Sequence, residues 1–364
     1  MKPWLAARSR CVATRILWSI TMAMIIALSA CAGFAHAAHL RRHRGRVFFV
    51  SQSGNDSNRG LSRLRPWRTV TRVNEADLQP GDEVLFAGDQ TFSDATLMPG
   101  QGFNVSGDPG RPVVFGAYGH GRAKISQGVW LGTDEEHPDG PRYLTFKSLA
   151  LGPYKGFQGT GDDISLTGLS VSHLMPDTAR QEVGIQTEGY DWVIAHNVIN
   201  DVGDSGMLLG SGANVPGDPA GGEYYSVHDN VITYTGMNPA IDYPAHGIYL
   251  KVARAHVFRN RIEHFRDEGV SARYRYASIV DNQISDGEIG IGWYQYDKLA
   301  GESRFMDNRI SDMSAAGIFV CGLAEGCVRP IESFEIASNR ISGIRGRAMN
   351  LQPGTGSYAL GRSS

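Results

Sequence analysis

Cysteine is scarce in this chain, with four among 364 residues. Two of them, Cys11 and Cys31, fall in an N-terminal stretch with the marks of a targeting segment. That leaves Cys321 and Cys327 of CGLAEGC. With no second pair of thiols and no close histidine, a tetrahedral zinc site has no donors. An oxidising compartment favours a Cys321–Cys327 disulfide closing a small loop, and free thiols are the alternative. Collagen periodicity and low-complexity tracts are also missing despite 45 glycines, so the glycines point to many tight turns. An excess of positive charge is lacking: the formal net charge is −2, and it falls to −6 without Lys2, Arg8, Arg10 and Arg15. A general nucleic-acid binder is therefore excluded, and no nucleic-acid partner is expected. Two-residue hairpin turns between neighbouring apolar runs are absent as well, which argues against an antiparallel meander.

The 41% hydrophobic content is enough for one large core. Residues 1–37 read as a signal peptide: basic residues, an apolar run from Ile16 to Ala32, then Ala35-His36-Ala37 as a small-x-small cleavage site. Leu28-Ser29-Ala30-Cys31 also resembles the lipobox of bacterial lipoproteins, with Cys31 as the lipidated residue. An apolar Cys31 of no special role and an uncleaved anchor are the alternatives. The expected location is periplasmic or secreted, or the outer membrane if Cys31 is lipidated, and only then is a membrane partner expected. Residues 38–46, AHLRRHRGR, form a basic linker, and 47–364 form the folded domain.

Within that domain an Asn is followed two residues later by Ile at Asn197/Ile199, Asn230/Ile232, Asn260/Ile262, Asn282/Ile284, Asn308/Ile310 and Asn339/Ile341. The spacings of 33, 30, 22, 26 and 31 residues suit a coil of short strands with loop insertions better than a helical array. Weaker coils precede them, with Ser148 and Gly168 in the Asn position. The Asn residues are read as structural, tolerating a left-handed turn and bonding to the copy in the next coil. A second marker is Gly184, Gly206, Gly247, Gly269, Gly290 and Gly317, each opening a strand. The first and third residues after each should point inward, as in Ile248/Leu250 and Val270/Ala272. The economical solution is an all-β, right-handed parallel β-helix of about ten coils, expected to be monomeric. A short amphipathic helix at about 66–78, with Pro66 in its first turn, caps its N-terminal end.

The order VSxSGNDSNxG, PWRT, LQPGDEVLFxG over residues 50–88 resembles the opening of the pectate-lyase-like β-helix superfamily, where a helix plugs the solenoid end.

Outward residues four after each strand-opening Gly are Glu188, Gly210, Lys251, Arg273, Tyr294 and Cys321. Parallel stacking places Lys251 and Arg273 about 4.8 Å apart on adjoining rungs. With Tyr249, Tyr274, Tyr294 and Arg275 they form a basic, aromatic patch suited to an acidic polysaccharide, the expected partner. β-Elimination from a uronate polymer needs a base for the C5 proton and a cation for the enolate. A lysine beside an arginine is pushed towards its neutral form, and the arginine keeps its charge. HGIYLK and GVSARYR resemble the strands of polysaccharide lyase family 6, which implies Lys251 as base and Arg273 as the acid-side arginine. The family's calcium-ligand Glu is replaced by His246, so calcium has no clear ligand there, no metal or cofactor is assigned, and His246 joins the catalytic set. Asp242-Tyr243-Pro244-Ala245-His246 also loosely resembles the D-P-H motif of C5-epimerases. Acidic residues near strand starts, namely Glu188, Asp204, Asp242, Asp267 and Glu268, leave glycoside hydrolysis open. Asp204, Asp242 and Glu188 are candidate substrate contacts, and a non-catalytic carbohydrate-binding protein of the cell envelope is the alternative from another class.

Overall fold

The computed structural model describes residues 45–174, 182–210, 224–294, 302–322, 333–352 and 358–361. The signal peptide and most of the basic linker lie outside the described residues, as does Cys327. The chain winds as a right-handed parallel β-helix. Among the described residues one face is a 12-stranded parallel sheet running from Val47–Val50 to Tyr358–Leu360, so that face carries twelve rungs where the Asn and Gly repeats lead one to expect about ten. The other two faces merge into a 17-stranded sheet, because Gln283–Trp293 and Arg309–Val320 run unbroken across the corner between them.

The period-2 reading holds residue by residue. Ile185, Thr187, Met207, Leu209, Ile248, Leu250, Val270, Ala272, Ile291, Trp293, Ile318 and Val320 are all buried inside the coil. The strand-opening glycines are fixed by the stacking distance: a Cβ on Gly247 would stand 2.5 Å from both the Gly269 carbonyl oxygen and the Ile262 Cγ2.

The six Asn residues form a buried ladder. Each side-chain amide donates to the Oδ1 of the next Asn, at 3.0 Å from Asn197 to Asn230, 2.9 Å from Asn230 to Asn260 and 3.0 Å from Asn260 to Asn282. That same Oδ1 accepts the backbone N–H of the preceding Asn. The left-handed residue of each corner is not the Asn but the one before it: His196, Asp229, Arg259, Asp281, Asp307 and Ser338 have φ between 52° and 58°. Ser148 and Gly168 also sit in this preceding position, in register with His196, so they are one residue removed from the Asn position assigned from sequence.

The capping helix is shorter than expected, Val70–Asn74, and Pro66 lies outside it. The Thr69 side chain accepts from the Arg72 N–H at 3.1 Å, while the Asp94 carboxylate accepts from the N–H groups of Val70 and Thr71. Trp67, Val70 and Val73 close the end of the core, and Trp67 stacks on Phe48 at 4.5 Å. Arg46, at the end of the basic linker by sequence, belongs to the folded end, paired with Asp82 at 2.6 Å.

Candidate active site

Strand Ile248–Leu250 pairs in register with Glu268–Ala272, aligning Ile248 with Val270 and Leu250 with Ala272. The following residues, Lys251 and Arg273, are therefore rung neighbours, and the Arg273 N–H donates to the Leu250 carbonyl at 3.1 Å. Their surroundings differ. Lys251 is half-buried, with its Nζ 4.8 Å from the centre of the Tyr249 ring. Arg273 is only 7% exposed, its guanidinium 3.8 Å from the Tyr294 ring centre and 5.1 Å from that of Tyr249. The expectation of two solvent-facing cations thus holds for Lys251 and not for Arg273, whose planar head is clamped between aromatic faces.

One residue before each strand-opening Gly lies a second column. Backbone register puts Ser205, His246 and Glu268 on successive rungs, and Asp204, Ala245 and Asp267 one residue upstream. His246 is 1% exposed and cannot meet a polymer directly. Its Nδ1 stands 2.5 Å from Glu268 Oε2, and its ring packs 4.5 Å from that of Tyr249. Glu268 is buried too, and its Oε1 accepts from the Tyr294 hydroxyl. Burial alone would raise the Glu268 carboxyl, but His246, Tyr294 and Arg273 together hold it below the ordinary carboxylate range. Asp267 is half-buried, and burial, followed by repulsion from Glu268, pushes its carboxyl up to about 6. Burial and the Glu268 charge raise the Tyr294 phenol, so it stays a donor.

The remaining predicted residues scatter around this centre. Asp204 is 2% exposed and accepts from the Tyr243 hydroxyl at 3.0 Å and from the Ser205 hydroxyl at 3.1 Å. Arg275, a predicted substrate contact, is 3% exposed, which removes it from any polymer-facing surface. Tyr249, Tyr274 and Tyr294 are half-buried and Asp242 is exposed. Glu188 is half-buried in the column of Lys251, two rungs away. Cys321 is disulfide-bonded. Sequence reasoning left out Tyr243, and it named Asp267 and Glu268 only as alternatives. Their signal was positional: they precede Gly269 as Ala245-His246 precede Gly247 and Asp204-Ser205 precede Gly206.

The donor atoms of His246, Asp267 and Glu268 lie within 4.8 Å of one another. Calcium asks for six to eight oxygen ligands. Here one donor is an imidazole nitrogen, both Glu268 oxygens have protein partners, and the Arg273 charge acts on both carboxylates. The set does not fit a calcium ion.

No protein-family model matches the chain. Among solved structures, pectate lyase Pel9A superposes with a TM-score of 0.52 at 15% identity, over 88% of this chain and 77% of that one. A rhamnogalacturonan lyase gives 0.52 at 14% identity, over 82% and 74%. XylC, solved with xylose, gives 0.52 at 13% identity, over 87% and 70%. The chain has the pectate-lyase-like fold. A lacto-N-biosidase of Bifidobacterium longum subsp. longum is 36% identical over 78 residues, which are 21% of this chain and 5% of that protein. The pectate-lyase-like solenoid here thus spans only a small part of the length of that curated relative.

Proposed function

We propose that this protein is a polysaccharide-active enzyme, working after export, that cleaves a glycosidic bond with Asp267 as proton donor. One observation carries the reading: two adjacent carboxyls differ in setting, Glu268 buried against Tyr294 and His246 and Asp267 half-buried beside it, where burial and the Glu268 charge raise its carboxyl to about 6. Such a split leaves the proton of the pair on Asp267 up to about pH 6, and an acid poised there can protonate a leaving oxygen. Tyr249 and Lys251 flank the accessible side of the site, and a sugar ring would lie on the Tyr249 face. Asp204, two rungs away in the same column, is 2% exposed and bonded to Tyr243 and Ser205, so it is no more open to a polymer than His246 and takes no part in this reading.

The lyase reading, with Lys251 as base and an acidic polysaccharide as substrate, rests on the in-register Lys251–Arg273 pair. It is weaker because Arg273 faces Asp267 and Glu268, which already balance its charge. The same assay separates the two. Purified protein is incubated with acidic and neutral polysaccharides while new reducing ends and the ultraviolet absorbance of an unsaturated product are followed. Reducing ends without absorbance, lost in Asp267→Asn, support hydrolysis. Absorbance that disappears in Lys251→Ala supports elimination and refutes the assignment to Asp267.

A further inference from the structure

Charge is unevenly divided along the chain. Residues 57–74 hold five arginines and no acid, whereas the whole chain carries 35 Lys and Arg against 37 Asp and Glu. The arginines gather at the N-terminal end of the solenoid, on the loop that precedes the capping helix. The same loop presents two exposed leucines, Leu64 at 92% and Leu61 at 48%. Among the described residues, Arg59, Arg65 and Arg68 form no ion pair with an acid, and the acids near them are Asp56, bonded to the Arg68 N–H, and Asp77, beside Arg59 in one cavity.

Several bonds hold the loop in place. The Asp56 carboxylate accepts from the N–H groups of Arg68 and Thr69, the Asn58 amide donates to the Pro66 carbonyl, and the Trp67 indole donates to the Asn58 carbonyl at 2.9 Å. The Leu64 N–H donates to the Ser62 hydroxyl at 3.2 Å. Leu61 and Leu64 are therefore presented from a fixed loop, so little ordering cost remains to be met on binding. Beside Leu61 lies a cavity of about 390 Å³ lined by Arg46, Arg59, Arg72, Phe48 and Trp67, with Asp77 as its one acid.

We infer that this end of the solenoid docks on the surface of an anionic phospholipid bilayer, with Leu61 and Leu64 entering the headgroup boundary and Arg59, Arg65 and Arg68 lying against the phosphates. Charge complementarity points to an anionic partner. The projecting leucines, which a soluble polyanion would leave in water, point to lipid. This surface belongs to the first rungs and is independent of the chemistry proposed at Asp267.

The test is co-sedimentation of the processed protein with vesicles of phosphatidylcholine alone, or with about one-third phosphatidylglycerol. The expected result is binding to the anionic vesicles only, weakening as salt is added. Arg59→Gln and Arg65→Gln should each lower partitioning about fivefold. The double variant Leu61→Ser/Leu64→Ser should lower it at least about tenfold. Both leucines are exposed, so that variant keeps its fold, which a circular-dichroism melt checks. Equal binding by the leucine variant overturns the inference, because the charge or the segment before residue 45 then suffices. Failure of the parent to bind overturns it as well. So does a leucine-independent interaction competed away by dextran sulfate, which would identify a polyanion as the partner.

Discussion

Asp267 and Glu268 are chain neighbours on opposite sides of a strand start, and that placement gives them different chemistry. Glu268 accepts from the Tyr294 hydroxyl and lies against the His246 ring, while Asp267 stays half-buried and feels its neighbour's charge. Asp267→Asn should lower turnover about 10²- to 10⁴-fold while leaving a folded protein. Its stability effect has a definite sign. A carboxyl whose folded value is about 6 binds its proton more tightly folded than unfolded, so the native state loses stability as pH rises from about 4 to 6. Asp267→Asn should therefore be more stable than the parent at pH 8 by about 1 kcal/mol after allowance for partial exposure, and no more stable at pH 4. Urea melts at the two pH values check this. Tyr294→Phe removes the hydroxyl that serves Glu268 and should cost about 1–3 kcal/mol, read by the same melts. Lys251, Arg273 and Tyr294 were legible as one column because they follow the strand-opening glycines at a fixed offset. What sequence could not give was depth: a period-2 pattern says which side of a strand a residue is on, but not that a tyrosine from the next rung will cover it. Arg273 was misjudged as accessible for that reason, while His246 is covered by Tyr249 of its own rung and Arg275 is buried beside its neighbour Tyr276.

At the scale of the rung, the corner device has two parts with separate duties. A residue in left-handed geometry turns the chain, and the Asn after it ties that corner to the next. Polar or small residues fill the turning position, including His196, Asp229, Arg259 and Ser338, and their variety hides it in the sequence. The Asn position is invariant over six rungs because the same amide must donate upward and accept two N–H groups in a buried site. Asn260→Ala should thus cost about 2–4 kcal/mol by stranding the Asn230 backbone and side-chain donors. Asn260→Asp should not rescue it, since a carboxylate supplies the acceptor but not the donor to Asn282. Chemical denaturation of the three proteins decides the matter.

Over the molecule as a whole, a solenoid is stable only if its ends are closed, and the N-terminal closure here is Trp67 with Val70 and Val73 over the first rung. Trp67→Ala should cost about 3–5 kcal/mol and expose the first rung to proteolysis. The parallel β-helix was readable from the glycine and asparagine spacings because every rung repeats the same inside–outside alternation. The number of rungs was underestimated because those at the ends, such as Val47–Val50, Glu83–Ala87 and Tyr358–Leu360, carry neither repeat marker. The reaction was the least legible level, since it depends on which rungs bring acids side by side, and insertions between repeats decide that.

The most direct test of the account is the pH dependence of polysaccharide cleavage by the parent, Asp267→Asn and Lys251→Ala. The account predicts a parent rate that declines above about pH 6, an Asp267→Asn protein slowed about 10²- to 10⁴-fold and without that decline, and a Lys251→Ala protein that keeps the parent's profile. An active Asp267→Asn protein, with Lys251→Ala inactive and the parent rate rising with pH, would contradict it.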